Sequence, residues 1–264
     1  MDIKKRIFCF GGLYAISCSL ALADYLDLNT YLHGFRPVFS LQGGYASMNA
    51  GGKNQSFGGS DTDIFTYRSS SKTKSTGFIG LFVGGERVLP WLSHPDLSLQ
   101  AGVDYNSFGN VNIKGVNTVG IEPGTATDYN YRYSFQTQQV LGLVKLLATT
   151  YERFHVYGEV GLGAAINQLN HYTATTAQTG NINITPQFSN RSQTQFSYTL
   201  GLGVEADITK NVRVGVGYRY SNFGTPSLGN GMVNFGNYHA AVPFNIGNSN
   251  SYSNQFIARI SYLI

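Results

Sequence analysis

The stretch that decides the fold is NQFIARISYLI, Asn254 to Ile264, which closes the chain. With the two-residue period of a β-strand, one face is apolar and aromatic, and the other carries Gln255, Arg259 and Ser261. The apolar face consists of Phe256, Ala258, Ile260, Tyr262 and Ile264. A strand that is apolar on one side and polar on the other is typical of a wall between lipid and a polar interior.

Seven earlier segments repeat this two-residue pattern, each about as long as the roughly 9–11 residues that cross a membrane as a tilted strand. They are 38–47, 76–87, 97–106, 133–147, 154–167, 195–207 and 212–221. In the fourth segment both faces mix apolar residues with glutamine or Lys145, so its inward face stays open.

The connections between these segments alternate in length. Those after the second, fourth and sixth are short, whereas the others run to roughly 25–32 residues, against about 2–5 in a usual hairpin. A membrane barrel has this asymmetry, with short turns on the periplasmic side and long loops outside. The sequence therefore predicts an all-β, eight-stranded antiparallel up-and-down transmembrane β-barrel over 37–264. In it, the last strand pairs with the first to close the wall, and the Gly-, Ser-, Asn- and Thr-rich loops form a solvated surface.

The N-terminal segment has the pattern of a secretory signal peptide: a basic block, an apolar run and the small residues Ala21-Leu22-Ala23. We expect cleavage of 1–23 and a periplasmic segment over 24–36. Processing as a lipoprotein at Cys18 is the alternative. Cleavage also removes Cys9 and Cys18, the 2 cysteines of the chain, so no disulfide scaffold is expected.

The composition gives no support for nucleic-acid binding and favours a membrane barrel. After removal of 1–23 the Lys and Arg count falls from 18 to 15 and the Asp and Glu count from 14 to 13, which leaves a net charge of 15 − 13 = +2. This charge gives no argument for nucleic acid as a partner. Charged residues make up 12% of the chain, against about 25% in an average soluble domain, which favours a membrane barrel.

Eight charged residues have inward-facing parity, with equal numbers of each sign. They are Arg36, Glu86, Asp104, Glu159, Glu205, Arg213, Arg219 and Arg259. We interpret them as a plug of internal ion pairs. In the hairpin VEADITKNVRV a turn at Thr209 predicts that Glu205 lies opposite Arg213. Interior glycines such as Gly201 and Gly215 leave room for long side chains from neighbouring strands.

Two short motifs carry a family resemblance. GYRYSNFG, Gly217 to Gly224, and YGEVGLGAAIN in the fifth segment resemble strands of the small outer-membrane barrels of the OmpA, OmpX and opacity-protein type. The resemblance implies a Gram-negative outer membrane, with membrane lipid, lipopolysaccharide and the outer-membrane assembly machinery as partners. That machinery reads an alternating C-terminal strand such as the apolar face of 254–264. Members of this group serve as adhesins, small channels or membrane anchors.

Motifs that would indicate catalysis or a cofactor fail on their spacing. The glycine pairs lie within strands and do not open a helix, so no nucleotide loop is predicted. The histidines, His33, His94, His155, His171 and His239, show no metal-ligand spacing. RYSNFG is similar to a stretch of outer-membrane lipid A deacylases, but Arg219 stands where the general base, a histidine, would precede Ser221. We therefore predict no catalytic, metal or cofactor-binding residues.

The function hypothesis is a structural or surface-interaction role, adhesin-like, with a plugged interior and a host-surface or matrix ligand. A narrow channel for small or apolar solutes is the alternative. An outer-membrane lipid-modifying enzyme is the remote one.

Overall fold

The computed structural model describes residues 34–50, 54–58, 64–70, 73–89, 96–120, 126–151, 153–176, 185–235, 237–247 and 250–264. The predicted signal peptide and residues 24–33 of the predicted periplasmic segment lie outside these ranges.

Fourteen strands are described. Eight of them build the barrel wall: β1 (Phe35–Asn49), β4 (Thr73–Val88), β5 (Asp96–Phe108), β7 (Thr127–Tyr151), β8 (Phe154–Thr176), β10 (Arg191–Asp207), β11 (Val212–Gly224) and β14 (Ser251–Leu263). Six shorter ones belong to the long connections: β2 (Gln55–Phe57), β3 (Phe65–Ser69), β6 (Val111–Val119), β9 (Gln187–Phe188), β12 (Gly231–Phe235) and β13 (Tyr238–Val242).

The eight wall strands pair in a closed ring in the order β1, β4, β5, β7, β8, β10, β11, β14 and back to β1. The seam runs antiparallel from the pair Val38 and Leu263 to the pair Asn49 and Tyr252. On its other edge β14 pairs with β11. The ring leaves no unpaired edge, which a wall surrounded by lipid requires. The predicted eight-stranded antiparallel barrel is confirmed.

The strands alternate between an exposed outer face and a buried inner face. All five residues of the predicted apolar face of β14 are exposed, Phe256 at 64%. On β7, the outward residues Val140, Val144 and Leu146 are exposed, whereas Lys145 is only 1% exposed and faces the interior. The inward face of the fourth segment, which the sequence leaves open, is therefore the one that carries Lys145.

The long connections contain ordered strands, which were not predicted from the sequence. The ladder in which Ser107 of β5 opposes Gln138 of β7 continues, after a short break, with Val111 of β6 opposite Phe135. β7 and β8 extend with it to 25 and 23 residues. The alternation persists along these extensions, so that one face of each strand is available to form a buried core.

Smaller strands complete this end of the molecule. β3 pairs with β6 and with β2, while β12 pairs with β13 and with β9. No helix in the described part of the chain is long and apolar enough to span a membrane.

Candidate functional site in the barrel interior

Arg259 of β14 lies at the centre of the interior. Its Nη2 is 3.0 Å from Oε2 of Glu159, and its Nη1 is 3.3 Å from Oε1 of Glu205. The guanidinium also donates to Oε1 of Gln42, at 3.0 Å from Nε and 2.8 Å from Nη2. One cation from the last strand therefore ties together carboxylates of β8 and β10 and an amide of β1.

A closed ring of five side chains passes through Arg259. Glu159 also binds Arg219, with Oε1 at 2.6 Å from Nη2, and Arg219 binds Asp104 through Nη1 at 2.9 Å. Gln42 donates to Asp104 at 2.7 Å and accepts from Arg259, which completes the ring. Arg219 and Asp104 are both fully buried. Each carboxylate of the ring is bound by at least one arginine, as buried charges require.

We name the paired charges of the interior, together with Gln42, the ion network. Lys145 is a further member of it that sequence reasoning missed. Its Nζ lies 2.7 Å from Oε1 of Glu205 and 4.9 Å from the centre of the Tyr157 ring. The register of β7 and β8, which sets Lys145 opposite Glu159, was the signal for it. That register could not be predicted from the sequence, because both faces of the fourth segment mix apolar and polar residues and its inward face was not assigned.

A second branch of the ion network lies near the short turns. Arg213 binds Glu86, with Nη1 at 2.7 Å from Oε2, and Asp207, with Nε at 2.6 Å from Oδ1. Asp207 also accepts from His155 Nε2 at 2.9 Å, and Thr149 lies 3.0 Å from His155 Nδ1. Gln100 donates to Glu86 at 2.6 Å. Asp207 and His155 were not among the predicted interior residues.

The predicted register of this hairpin is wrong by two residues. Arg213 lies opposite Asp207, not Glu205, and its Nη1 is 3.9 Å from Oε2 of Glu205. The reason is local: the Thr209 hydroxyl accepts from the backbone N–H of Asn211 and of Val212, at 3.2 and 3.0 Å. These bonds form a side-chain turn of the kind that threonine favours and shift the centre of the hairpin from Thr209 to Lys210.

Arg36 is the predicted interior charge that lies elsewhere. It is exposed and donates from Nη2 to the backbone carbonyl of Lys210 at 2.9 Å. Arg36 has inward parity but stands at the start of β1, beyond the level of the interior carboxylates. The structure brings together the other seven predicted charges, all buried and ion-paired: Glu86, Asp104, Glu159, Glu205, Arg213, Arg219 and Arg259.

Two interior glycines make room for these carboxylates. A Cβ atom on Gly201 would lie 2.8 Å from Cγ of Glu159, and one on Gly215 would lie 2.6 Å from Cγ of Glu205. Glycine is the residue that permits such a close approach of a neighbouring side chain.

Towards the long loops, the interior changes from ions to neutral polar groups and then to aromatic rings. Thr137 donates to Asn167 at 2.8 Å, and Gln139 donates to Ser197 at 2.7 Å. Above them lies a cluster that we name the aromatic cap. Its buried members are Tyr67, Phe78, Phe108, Tyr131, Tyr133, Phe135, Tyr172, Phe188 and Phe223. The rings pack edge to face and in stacks, for example Phe108 with Phe223 at 5.1 Å.

Burial strongly raises the pKa values of the tyrosines of the aromatic cap. It raises the pKa of Tyr131 to about 12 and raises the pKa values of Tyr67 and Tyr172 further. The cause is that an ionised phenolate loses its hydration in an apolar cluster. These tyrosines therefore stay neutral above about pH 10, where an ordinary tyrosine ionises, and they act as packing groups.

The other predicted motifs have no reactive geometry in the described residues. Arg219 is bound to Glu159 and Asp104, and Ser221 is buried and accepts from Gln255 at 2.9 Å. Within the described ranges, no group of three or more His, Cys, Asp and Glu side chains is placed to hold a metal ion. The glycine pairs of β8 and β10 lie in continuous strand.

A closed antiparallel ring of eight strands, apolar outside and filled with paired charges, defines an eight-stranded transmembrane β-barrel. A family model described as "Outer membrane protein beta-barrel domain" matches residues 36–247. The chain belongs to this family and is an outer-membrane β-barrel protein. No curated protein matches the sequence.

Several solved structures are similar to the chain. Neisserial surface protein A has 14% sequence identity and a TM-score of 0.38, with 85% of this chain and 96% of that chain covered. OprG from Pseudomonas aeruginosa has 10% identity, a TM-score of 0.37, and 86% and 95% covered. The outer membrane protease OmpT from Escherichia coli has 12% identity, a TM-score of 0.37, and 88% and 97% covered.

Proposed function

We propose that the protein is a non-conducting barrel that holds an ordered β platform at the cell surface for interaction with a host-surface or matrix ligand. The observation that carries the proposal is the filling of the interior at successive levels: the ion network, the neutral polar layer and the aromatic cap. An eight-stranded barrel has an interior that side chains can just fill.

The chemistry of the interior argues against conduction. A channel for ions needs an excess of one sign or a water-filled bore. Here Glu159 is held by two arginines and Glu205 by Arg259 and Lys145, so the charges neutralise one another. An apolar solute would have to pass this ionic level after displacing the aromatic cap. These features argue against the alternative function, a narrow channel, which the experiment below tests directly.

The ordered long-loop end supports the interaction role. Hairpin β12–β13 pairs through Gly231 and Met232 with β9, which belongs to the connection after β8. Stacked rings of Phe57 and Phe244 at 4.0 Å join the hairpin's own connection to the one after β1. A surface whose strands are fixed in this way loses little conformational entropy when it binds a partner. With the predicted orientation, this platform faces the medium.

The experiment combines binding with solute entry. Cells that display the protein are tested for adhesion to immobilised matrix proteins and to host cells, with a variant in which residues 231–242 are replaced by a Gly-Ser segment of equal length. A control variant, Lys210→Gln, changes the opposite end of the barrel. We expect adhesion that the Gly-Ser variant loses and the control keeps, and no swelling of proteoliposomes in small sugars. Swelling by the unmodified protein, or adhesion equal in all variants and in empty cells, contradicts the proposal.

A further inference from the structure

The short-turn end of the barrel carries three exposed cations that come from three separate elements. Arg36 stands at the start of β1, Arg153 in the turn between β7 and β8, and Lys210 in the turn between β10 and β11. In steps of two residues, Arg36 continues the inner face of β1, to which the buried Ser40 belongs. Arg153 likewise continues the inner face of β8, to which the buried His155 belongs. We name Arg36, Arg153 and Lys210 the basic mouth, because they stand over the opening of the bore.

Two main-chain carbonyl groups hold the basic mouth in place. Nη2 of Arg36 donates to the carbonyl of Lys210 at 2.9 Å, and the backbone N–H of Asp207 donates to the carbonyl of Arg153 at 2.9 Å. The first of these contacts joins β1 to the turn between β10 and β11, from which β14 separates it. Closure of the barrel therefore brings the three cations together.

The basic mouth is not neutralised within the described residues. None of its three side chains lies within ion-pair distance of a carboxylate there. Asp207 shares their groove, but both of its oxygens are occupied: Oδ1 lies 2.6 Å from Nε of Arg213, and Oδ2 lies 2.9 Å from Nε2 of His155. A cleft lined by uncompensated charges of one sign attracts ions of the opposite sign.

A groove of about 570 Å³ is lined by the basic mouth together with Asp207, Ile208 and Thr209. This volume is within the range of about 300–1,000 Å³ that is usual for small-molecule sites. The Thr209 hydroxyl accepts from two backbone N–H groups, so its own hydrogen is available to a ligand. Two guanidinium groups, an ammonium group and a hydroxyl thus form a set of donors that suits phosphate or carboxylate oxygens.

The position of the groove favours a soluble anion over a lipid headgroup. At this end the outer face of the wall carries exposed apolar and aromatic side chains such as Phe154 and Tyr262, which a lipid would contact. The basic mouth faces the bore instead. Directly behind it the paired side chains of Asp207, Arg213 and Glu86 close the bore, so that a ligand is held at the opening and does not pass. Three uncompensated positive charges favour a ligand with more than one negative charge.

We infer that the basic mouth binds a soluble organic anion that carries two or more phosphate or carboxylate groups. Arg36, Arg153 and Lys210 contact these groups, and the Thr209 hydroxyl donates to one of them. With the predicted orientation, the ligand comes from the periplasm. The inference goes beyond the surface role proposed above and does not rest on it, because the two sites lie at opposite ends of the molecule.

The test uses the refolded protein in phosphatidylcholine nanodiscs, with pyrophosphate and citrate as probes. Each probe is titrated by calorimetry against the parent and against Arg153→Gln with Lys210→Gln; Arg36 is kept because its side chain holds the turn. We expect the double variant to bind roughly tenfold more weakly and the parent to lose affinity as salt is raised. The matched control, Lys114→Gln with Arg132→Gln, removes one exposed lysine and one exposed arginine at the long-loop end. It should stay within about twofold of the parent.

Two further measurements separate the outcomes. Pyrophosphate should slow the chemical acetylation of Lys210 in the parent and leave that of Lys114 unchanged, which tests the site without any variant. Acetate, with its single carboxylate, should bind roughly tenfold more weakly than citrate. Failure of both probes to bind the parent, equal loss in the double variant and its control, or acetate binding as tight as that of citrate overturns the inference. Loss of probe binding when phosphatidylglycerol replaces part of the phosphatidylcholine overturns it in favour of a lipid headgroup.

Discussion

The ion network and the aromatic cap fill successive parts of the barrel interior. The strands that form them place polar and apolar side chains on opposite faces in the two parts. On β7 the outward Val144 and Leu146 flank the inward Lys145, at the level of the lipid-facing belt of exposed apolar side chains. Further along the same strand, Arg132 is outward and Tyr131 and Tyr133 are inward. The two-residue alternation continues along the strand, but apolar side chains face outward in the first part and inward in the second.

The difference follows from what surrounds each part. In the lipid-facing belt the outer face of the wall contacts lipid, so apolar side chains gain nothing from the hydrophobic effect by moving to the interior. Paired charges fill the interior there instead. Beyond the belt the outside is water, and apolar rings move to the inside as in a soluble β-sandwich. The ion network should therefore be sensitive to single charges, and the aromatic cap to lost volume.

The largest effect is expected from Glu159→Ala. It leaves Arg219 and Arg259 buried with one carboxylate fewer, which should lower the free energy of unfolding by about 3–5 kcal/mol. Urea unfolding in lipid vesicles measures it. The control Asp128→Ala removes an exposed carboxylate of β7 and should stay within about 0.5 kcal/mol of the parent. Equal losses in the two variants would show that the ion network contributes no more than a surface charge.

Loss of ring volume is the corresponding test of the aromatic cap. Phe135→Ala, at a fully buried position, should cost about 3 kcal/mol through transfer and cavity terms. Hydrogen exchange should then speed up in β6 and the upper half of β7 and remain slow in β14. Met232→Ala, at an exposed site of β12, is the control with no expected loss. Uniform acceleration around the barrel would mean that the aromatic cap and the ion network form one cooperative unit.

A smaller effect tests the space beside the carboxylates. Gly215→Ala places a methyl group against Glu205 and should cost about 1–3 kcal/mol through overpacking. Gly158→Ala is the matched control because a Cβ there meets nothing within 4 Å. A tolerated Gly215→Ala would indicate that the interior is loose enough to admit water.

The smallest effect concerns the tyrosines of the aromatic cap at high pH. In an unfolded chain tyrosine ionises near pH 10, whereas the folded pKa of Tyr131 is raised to about 12. Because the folded pKa is raised, this stabilisation is complete below pH 10 and is lost as pH rises towards 12. A spectrophotometric titration should show a late group of tyrosines that merges with the early group after Phe135→Ala. A single transition near pH 10 in the folded parent would contradict the buried positions.

Much of the barrel was predictable from sequence because strand parity is reliable where one face meets lipid. The face of β14 with Phe256 and Ile260, the closing seam and the eight wall strands follow from it. The inward face of the fourth segment could not be assigned because this segment passes from the lipid-facing part of the barrel into the part surrounded by water. Val140 on the outer face and Tyr133 on the inner face are both apolar, so neither face is distinguished by its composition. The same inversion concealed the aromatic cap within segments that read as loops.

The interior residues were predictable as a set and not as pairs. Parity alone places Glu159 and Arg219 inside, but their partners depend on register, which a two-residue shift changes. The Thr209 turn made such a shift, and Arg213 therefore pairs with Asp207 and Glu86. Arg36 has inward parity but lies beyond the level of the interior carboxylates. The alternation of faces gives no information about the position of a residue along the barrel axis.

Single-channel recording in planar bilayers tests the filled interior most directly. The account predicts no conductance steps from the unmodified protein, since charges of both signs are paired across the bore and aromatic rings close it above. Arg259→Ala, which removes the side chain that joins Gln42, Glu159 and Glu205, should produce small steps. Steady, large steps from the unmodified protein would contradict the account and favour the channel.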